Sequence, residues 1–89
     1  MKSRTSARFR KVLSKLPLKI RKQAKEAYFL FKIDPYHPSL HFKRIHSTQP
    51  IYSVRINITY RAIGIIEKDE IIWIWVGAHA EYDRLLRSL

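Results

Sequence analysis

The sequence predicts an α+β fold: an N-terminal helical hairpin packed on a small antiparallel sheet of three to four strands, closed by a short C-terminal helix. Three observations lead there. The first third of the chain places apolar residues at helical spacing. From Ile51 the period drops to two, in tandem runs separated by short polar turns. After Gly77 a polar cluster opens a final helical pattern. Strands that follow one another through hairpins pair antiparallel, and helices grouped outside that run cover one face of the sheet.

Each element follows from its residues. Thr5 or Ser6 can cap a first helix that runs to about Leu16. Phe9, Val12, Leu13 and Leu16 form its apolar face, and Arg8, Arg10, Lys11 and Lys15 fall around the other side. Pro17 suits the first turn of a second helix, where its missing N–H costs nothing. Ile20, Ala24, Ala27, Tyr28 and Phe31 form the inner stripe of that helix, and Lys19, Arg21, Lys22 and Lys25 lie outside. Asp34-Pro35 ends it, because the residue before proline avoids the helical region. Residues 34–50 form a connector with three prolines, in which residues 40–45 alternate as a short or edge strand would. In the next strand Tyr52, Val54, Ile56 and Ile58 face one way, and Ser53, Arg55 and Asn57 the other. Asn57 to Thr59 is a tight connection to a strand over Tyr60 to Ile66, and Glu67-Lys68-Asp69-Glu70 is a polar hairpin turn. Ile71 to Val76 is apolar on both faces and β-branched or aromatic, which predicts a central strand. Residues 80–89 suit a terminal helix with Tyr82, Leu85, Leu86 and Leu89 inward. The expected order is α-α-β-β-β-α, with helix signals starting by Thr5 and no strand ahead of them.

Composition narrows the function. Eighty-nine residues make a single domain, 1–89, with one modest core. An apolar content of 46% excludes a disordered chain. With no cysteine there is neither a disulfide framework nor thiolate chemistry. No apolar run approaches a membrane span and none follows the early basic residues as a signal peptide would, so a cytoplasmic protein without membrane association is expected. The net charge is +11, and it is uneven: residues 1–61 hold 15 Lys/Arg against two acids, residues 62–89 three against five. That excess is far beyond what solubility needs and points to a polyanionic partner. Two glycines leave no Gly-rich phosphate loop, and four irregularly spaced histidines without cysteine give no metal signature, so no metal or cofactor is expected.

The helices FRKVLSKLPLKIRKQAKEA, the connector DPYHPSL, the hairpin YSVRI with NITYRAIG, and IIWIWVGAHAEYD at the end appear in the order and spacing of a known family. Over nearly its whole length the chain resembles the RelE/ParE superfamily of bacterial type II toxins, and the Tyr60-Arg61 pair, closely preceded by the strand Tyr52 to Arg55, is the most specific part. The resemblance implies a toxin neutralised by a cognate acidic antitoxin. Ribosome-dependent members cleave mRNA with basic residues on the open face of the sheet. The matching positions are Ser53, Arg55 and Arg61, with His79 just beyond the last strand and Tyr82 as the match for a C-terminal tyrosine. Two departures stand out: position 53 is serine where RelE-like members carry lysine, and the family's first strand is missing from the pattern.

The chemistry of such a site is simple to state. Cleavage by the 2′-hydroxyl needs a base for its proton, cations for the phosphate oxygens, and an acid for the departing 5′-oxygen. Arg55 and Arg61 suit the phosphate, because a guanidinium grips two oxygens and stays charged. His79 is the best proton shuttle, as histidine titrates at about 6.5 in ordinary surroundings. Tyr82 can donate a proton, stack on a base, or simply pack beside Leu85 and Leu86. Asp83 or Glu81 can orient His79. Lys19, Arg21, Lys22, Lys25, Lys43, Arg44 and Ser53 are expected to contact RNA or the ribosome. His41 and His46 flank Lys43-Arg44 and can add to a nucleic-acid groove without a catalytic part; His37 beside Pro38 reads as structural. Trp73 and Trp75 read as core or a partner surface. Two other functions remain open from sequence: a ParE-like inhibitor of DNA gyrase, which needs no acid or base, and a non-catalytic basic nucleic-acid-binding module.

Overall fold

The computed structural model describes residues 1–88. Nine elements follow in order: β1 (Lys2–Thr5), α1 (Ala7–Ser14), α2 (Leu18–Ile33), a 3₁₀ turn (Pro38–Leu40), β2 (Lys43–Arg44), β3 (Ile51–Arg55), β4 (Tyr60–Glu67), β5 (Glu70–Ala78) and α3 (His79–Ser88). The strands form one five-stranded sheet in the order β1-β5-β4-β3-β2. All neighbours run antiparallel except β1, which lies parallel to β5.

β1 corrects the expectation that no strand precedes the first helix. Lys2 to Thr5 pairs with Glu70 to Trp73 and makes β5 an inner strand. Three side-chain contacts fasten it. Arg4 Nε reaches Glu70 Oε1 at 2.8 Å, Trp73 Nε1 donates to Ser3 Oγ at 3.0 Å, and the Tyr28 hydroxyl donates to the Ser3 carbonyl at 2.9 Å. Ser6 then caps α1, its hydroxyl accepting from the Phe9 N–H at 3.0 Å.

The core lies between the helical hairpin and one face of the sheet. Phe9, Phe31, Leu40, Val54, Ala62, Ile71, Trp73 and Val76 are its buried members. The inner stripe predicted for α2 is in place, with Ala24 and Phe31 buried and Lys19, Arg21, Lys22 and Lys25 exposed. Ile58, expected to share a face with Val54 and Ile56, is instead exposed at the tip of the β3–β4 turn.

A bulge between Ile63 and Gly64 shifts the β4–β5 register, so that Gly64 pairs with Trp73 but Ile63 with Trp75. The two tryptophans therefore part company. Trp73 packs into the core over Gly64, where an added Cβ would come within 2.9 Å of the indole. Trp75 serves the opposite face and lies over Gly77, which must be glycine for the same reason. On that opposite face α3 packs against β5 and β4, burying Tyr82 and Ile63.

Candidate functional site

The site is built where β3, β4 and β5 end together. Antiparallel register sets Arg55 opposite Arg61 and Arg61 opposite Gly77, so both arginines project from the face that α3 partly covers. In such a pair the side chains stand side by side, and two like charges there repel unless an anion lies between them. Asn57 shapes the connecting turn. Its Oδ1 accepts from the Thr59 and Tyr60 N–H groups at 2.7 and 2.8 Å, and its Nδ2 donates to Gln23 Oε1 of α2 at 2.6 Å. Arg61 Nη1 donates to the Asn57 and Tyr60 carbonyls at 2.7 and 3.2 Å, which draws the guanidinium back over the turn. The same turn receives β5, because the His79 N–H donates to the Thr59 carbonyl at 2.6 Å.

His79 opens α3 and is half-exposed. Its Nε2 lies 3.3 Å from Asp83 Oδ2, one helical turn on, so Asp83 and not Glu81 is the residue that orients the ring. The Tyr82 ring lies nearly parallel to it at 6.1 Å. Tyr82 itself is buried, and its hydroxyl donates to Ser53 Oγ at 3.1 Å. Ser53, expected on an open face in contact with RNA, is only 1% exposed beneath α3. The physical reason is the helix itself: an alternating strand reads as half-solvated until a later element covers it.

The remaining predicted residues spread around this centre. Lys43 pairs with Ser53 in register and is exposed on the site's side of the sheet. Arg44 turns away, its Nε donating to the His46 and Gln49 carbonyls at 3.0 and 3.2 Å and holding the β2–β3 loop. Lys19, Arg21, Lys22 and Lys25 are exposed on α2, which lies on the far side of the sheet but reaches the same end through Gln23 and Asn57. One contact stands outside the expected set: His41 Nε2 lies 3.4 Å from Arg55 Nη1. Among the described residues no group of three or more His, Asp or Glu side chains is arranged to hold a metal ion, and no helix is long and apolar enough to cross a membrane.

A second feature lies on the helix side. A hollow of about 320 Å³ separates the helical hairpin from the sheet, floored by Phe9, Phe31, Val54 and Trp73, with Arg10, Arg21 and Lys25 among its lining residues.

Residues 18–84 match the family model described as the ParE-like toxin domain. The chain belongs to this family, within the RelE/ParE superfamily of type II toxins. The toxin fold also agrees with solved structures. The RelB–RelE antitoxin–toxin complex from Methanococcus jannaschii aligns with a TM-score of 0.71 at 24% identity, covering 90% of this chain and 95% of that one. The toxin–antitoxin complex RelBE2 from Mycobacterium tuberculosis aligns at 0.70 and 22% identity, covering 88% and 96%. The isolated RelE toxin of E. coli aligns at 0.65 and 19% identity, covering 99% and 98%. At these identities the likeness is one of fold. No curated protein matches the chain.

Proposed function

We propose that this toxin domain is a ribosome-dependent mRNA endoribonuclease, acting without a metal in the cytoplasm, and that an acidic antitoxin neutralises it. The observation that carries the reading is the juxtaposition of Arg55 and Arg61 with His79 at one end of the sheet. A phosphodiester between the two guanidiniums relieves their repulsion and is held by donors that cannot lose their charge. His79, steadied by Asp83, is placed to move a proton at its edge. Tyr82 supports the site from below, its hydroxyl engaged by Ser53 and its ring beside His79. The exposed cations Lys19, Arg21, Lys22, Lys25 and Lys43 supply the long-range attraction that brings a polyanion as large as the ribosome to the domain.

The solved RelB–RelE complexes supply the model for the partner. The apolar hollow with Arg10, Arg21 and Lys25 among its lining residues suits a segment that is apolar on one side and acidic on the other. Co-expression with the neighbouring reading frame should restore growth and co-purify a complex.

Mapping the 5′ ends of cellular RNA after brief induction tests the activity. New ends within codons are expected. DNA-damage signalling without new RNA ends would instead favour gyrase inhibition, a mode that needs neither His79 nor the paired arginines.

A further inference from the structure

His41, read from the sequence as a groove residue without a catalytic part, is tied by its placement to the arginines. It follows Leu40, which is 2% exposed, and ends the 3₁₀ turn with φ 47° and ψ 42°. That left-handed conformation is costly for a residue with a Cβ. It sets the imidazole 3.4 Å from Arg55. Lys43, two residues on, pairs with Ser53, and His41 lies just ahead of that ladder, beside Arg55. The row across the sheet reads Arg55, Arg61, Gly77, with His41 beside the Arg55 end and His79 two residues beyond Gly77. Two imidazoles bracket two guanidiniums. Two interstrand steps separate Arg55 from Gly77, roughly 10 Å at the usual spacing, and Trp75 and Glu81 lie over the Gly77 end.

We propose that His41 is the second proton-transfer residue of this site, taking the 2′-proton while His79 protonates the leaving oxygen. The inference rests on the nuclease reading above and assigns its missing base. Hydrogen-bond chemistry sets the roles. A guanidinium only donates, so the His41 Nε2 that faces Arg55 carries a lone pair and can accept a proton. A carboxylate only accepts, so the His79 Nε2 that faces Asp83 carries a hydrogen. A bound phosphate draws Arg55 toward itself and frees the lone pair of His41. The 2′-hydroxyl passes its proton to His41 as the 2′-oxygen bonds to phosphorus. The bond from phosphorus to the 5′-oxygen breaks as that oxygen takes a proton from His79. The products are a 2′,3′-cyclic phosphate and a 5′-hydroxyl, and proton exchange with water resets both rings. The charged groups around His41 are Arg55 beside it, Lys43 two residues along, and Glu26 of α2, which lines a hollow with Leu40 and Arg55. Around His79 they are Asp83 and Glu81 on its own helix and Arg61 on β4.

The test uses His41→Asn and His41→Gly, both compatible with a left-handed backbone, on programmed ribosomes. Wild-type cleavage should show a rising and a falling limb with pH. Both variants should cleave about 10²–10⁴-fold more slowly and lose the rising limb, while their melting temperatures stay level or rise. A substrate with sulfur in place of the bridging 5′-oxygen releases a thiolate that needs no proton. It should restore His79→Ala and leave His41→Asn inactive. The proposal is overturned if His41→Asn cleaves at the wild-type rate, keeps both limbs, or is restored by the sulfur substrate. Failure of the wild-type protein itself to cleave would overturn the nuclease reading, and this inference with it.

Discussion

The two faces of the sheet are built in opposite ways. On the helix side, aromatic rings interlock: Phe31 meets Trp73 edge-on at 5.2 Å and Phe42 at 5.0 Å, and Phe42 stacks on Tyr52 at 5.1 Å. On the other side, α3 buries Ser53, Ile63 and Tyr82 and brings Glu81 over Gly77, while Arg55 and Arg61 stay partly exposed. There, among the described residues, the guanidiniums hydrogen-bond to turn carbonyls and one imidazole. Stability is concentrated on the first face, which leaves the second free to carry groups that a folded core would not tolerate. Mutations should therefore separate cleanly into those that unfold the domain and those that silence it.

The largest effect is expected from Trp73→Ala. It removes a side chain 2% exposed, and with it the bond to Ser3 that fastens β1. A loss of about 3–5 kcal/mol is expected, much of the total stability of a small domain. Urea denaturation measures it. Next comes Arg61→Ala, which should abolish toxicity in a growth assay while circular dichroism shows a melting point lowered by only a few degrees. Arg55→Ala should be intermediate in toxicity. Reversal of Lys19, Arg21, Lys22 and Lys25 to Glu should weaken ribosome association and flatten its salt dependence, since fewer counterions are released. The fold should survive, because all four side chains are exposed. Sedimentation with ribosomes at low and high salt reads this out. The smallest effect belongs to Tyr82→Phe. It leaves the Ser53 hydroxyl without its donor, costing about 1 kcal/mol, and should leave toxicity intact. Lost toxicity at full stability would mean that the hydroxyl leaves Ser53 and works on the substrate.

The helix-side face was largely legible in the sequence, because its residues obey the 3.6 and 2.0 periods that burial imposes. Ala24, Phe31 and Val54 all stand where periodicity puts them. The misses have physical causes. β1 is Lys-Ser-Arg-Thr, a polar edge strand held by pairing with a segment some 70 positions away, and no local pattern announces that. The bulge between Ile63 and Gly64 changes the phase of β5, so Trp75 leaves the face that strict alternation would assign it. Ser53 was read as open because the helix that covers it comes 25 or more positions later in the chain. Arg55, Arg61 and His79 were legible as residue types, and the register shows how close they are. His41 fell on the polar side of the alternation over residues 40–45, but nothing in that period tied it to Arg55.

The central claim is that the end of the sheet holding Arg55, Arg61 and His79 is a cleavage site separate from the structural core. Its most direct test is cleavage of mRNA on programmed ribosomes by folded Arg61→Ala and His79→Ala proteins, with stability measured on the same samples. The account predicts near-native stability for both, no detectable cleavage by Arg61→Ala, and a rate about 10²–10⁴-fold below wild type for His79→Ala. Wild-type rates for both variants would contradict it and move the function of this toxin away from the arginine row.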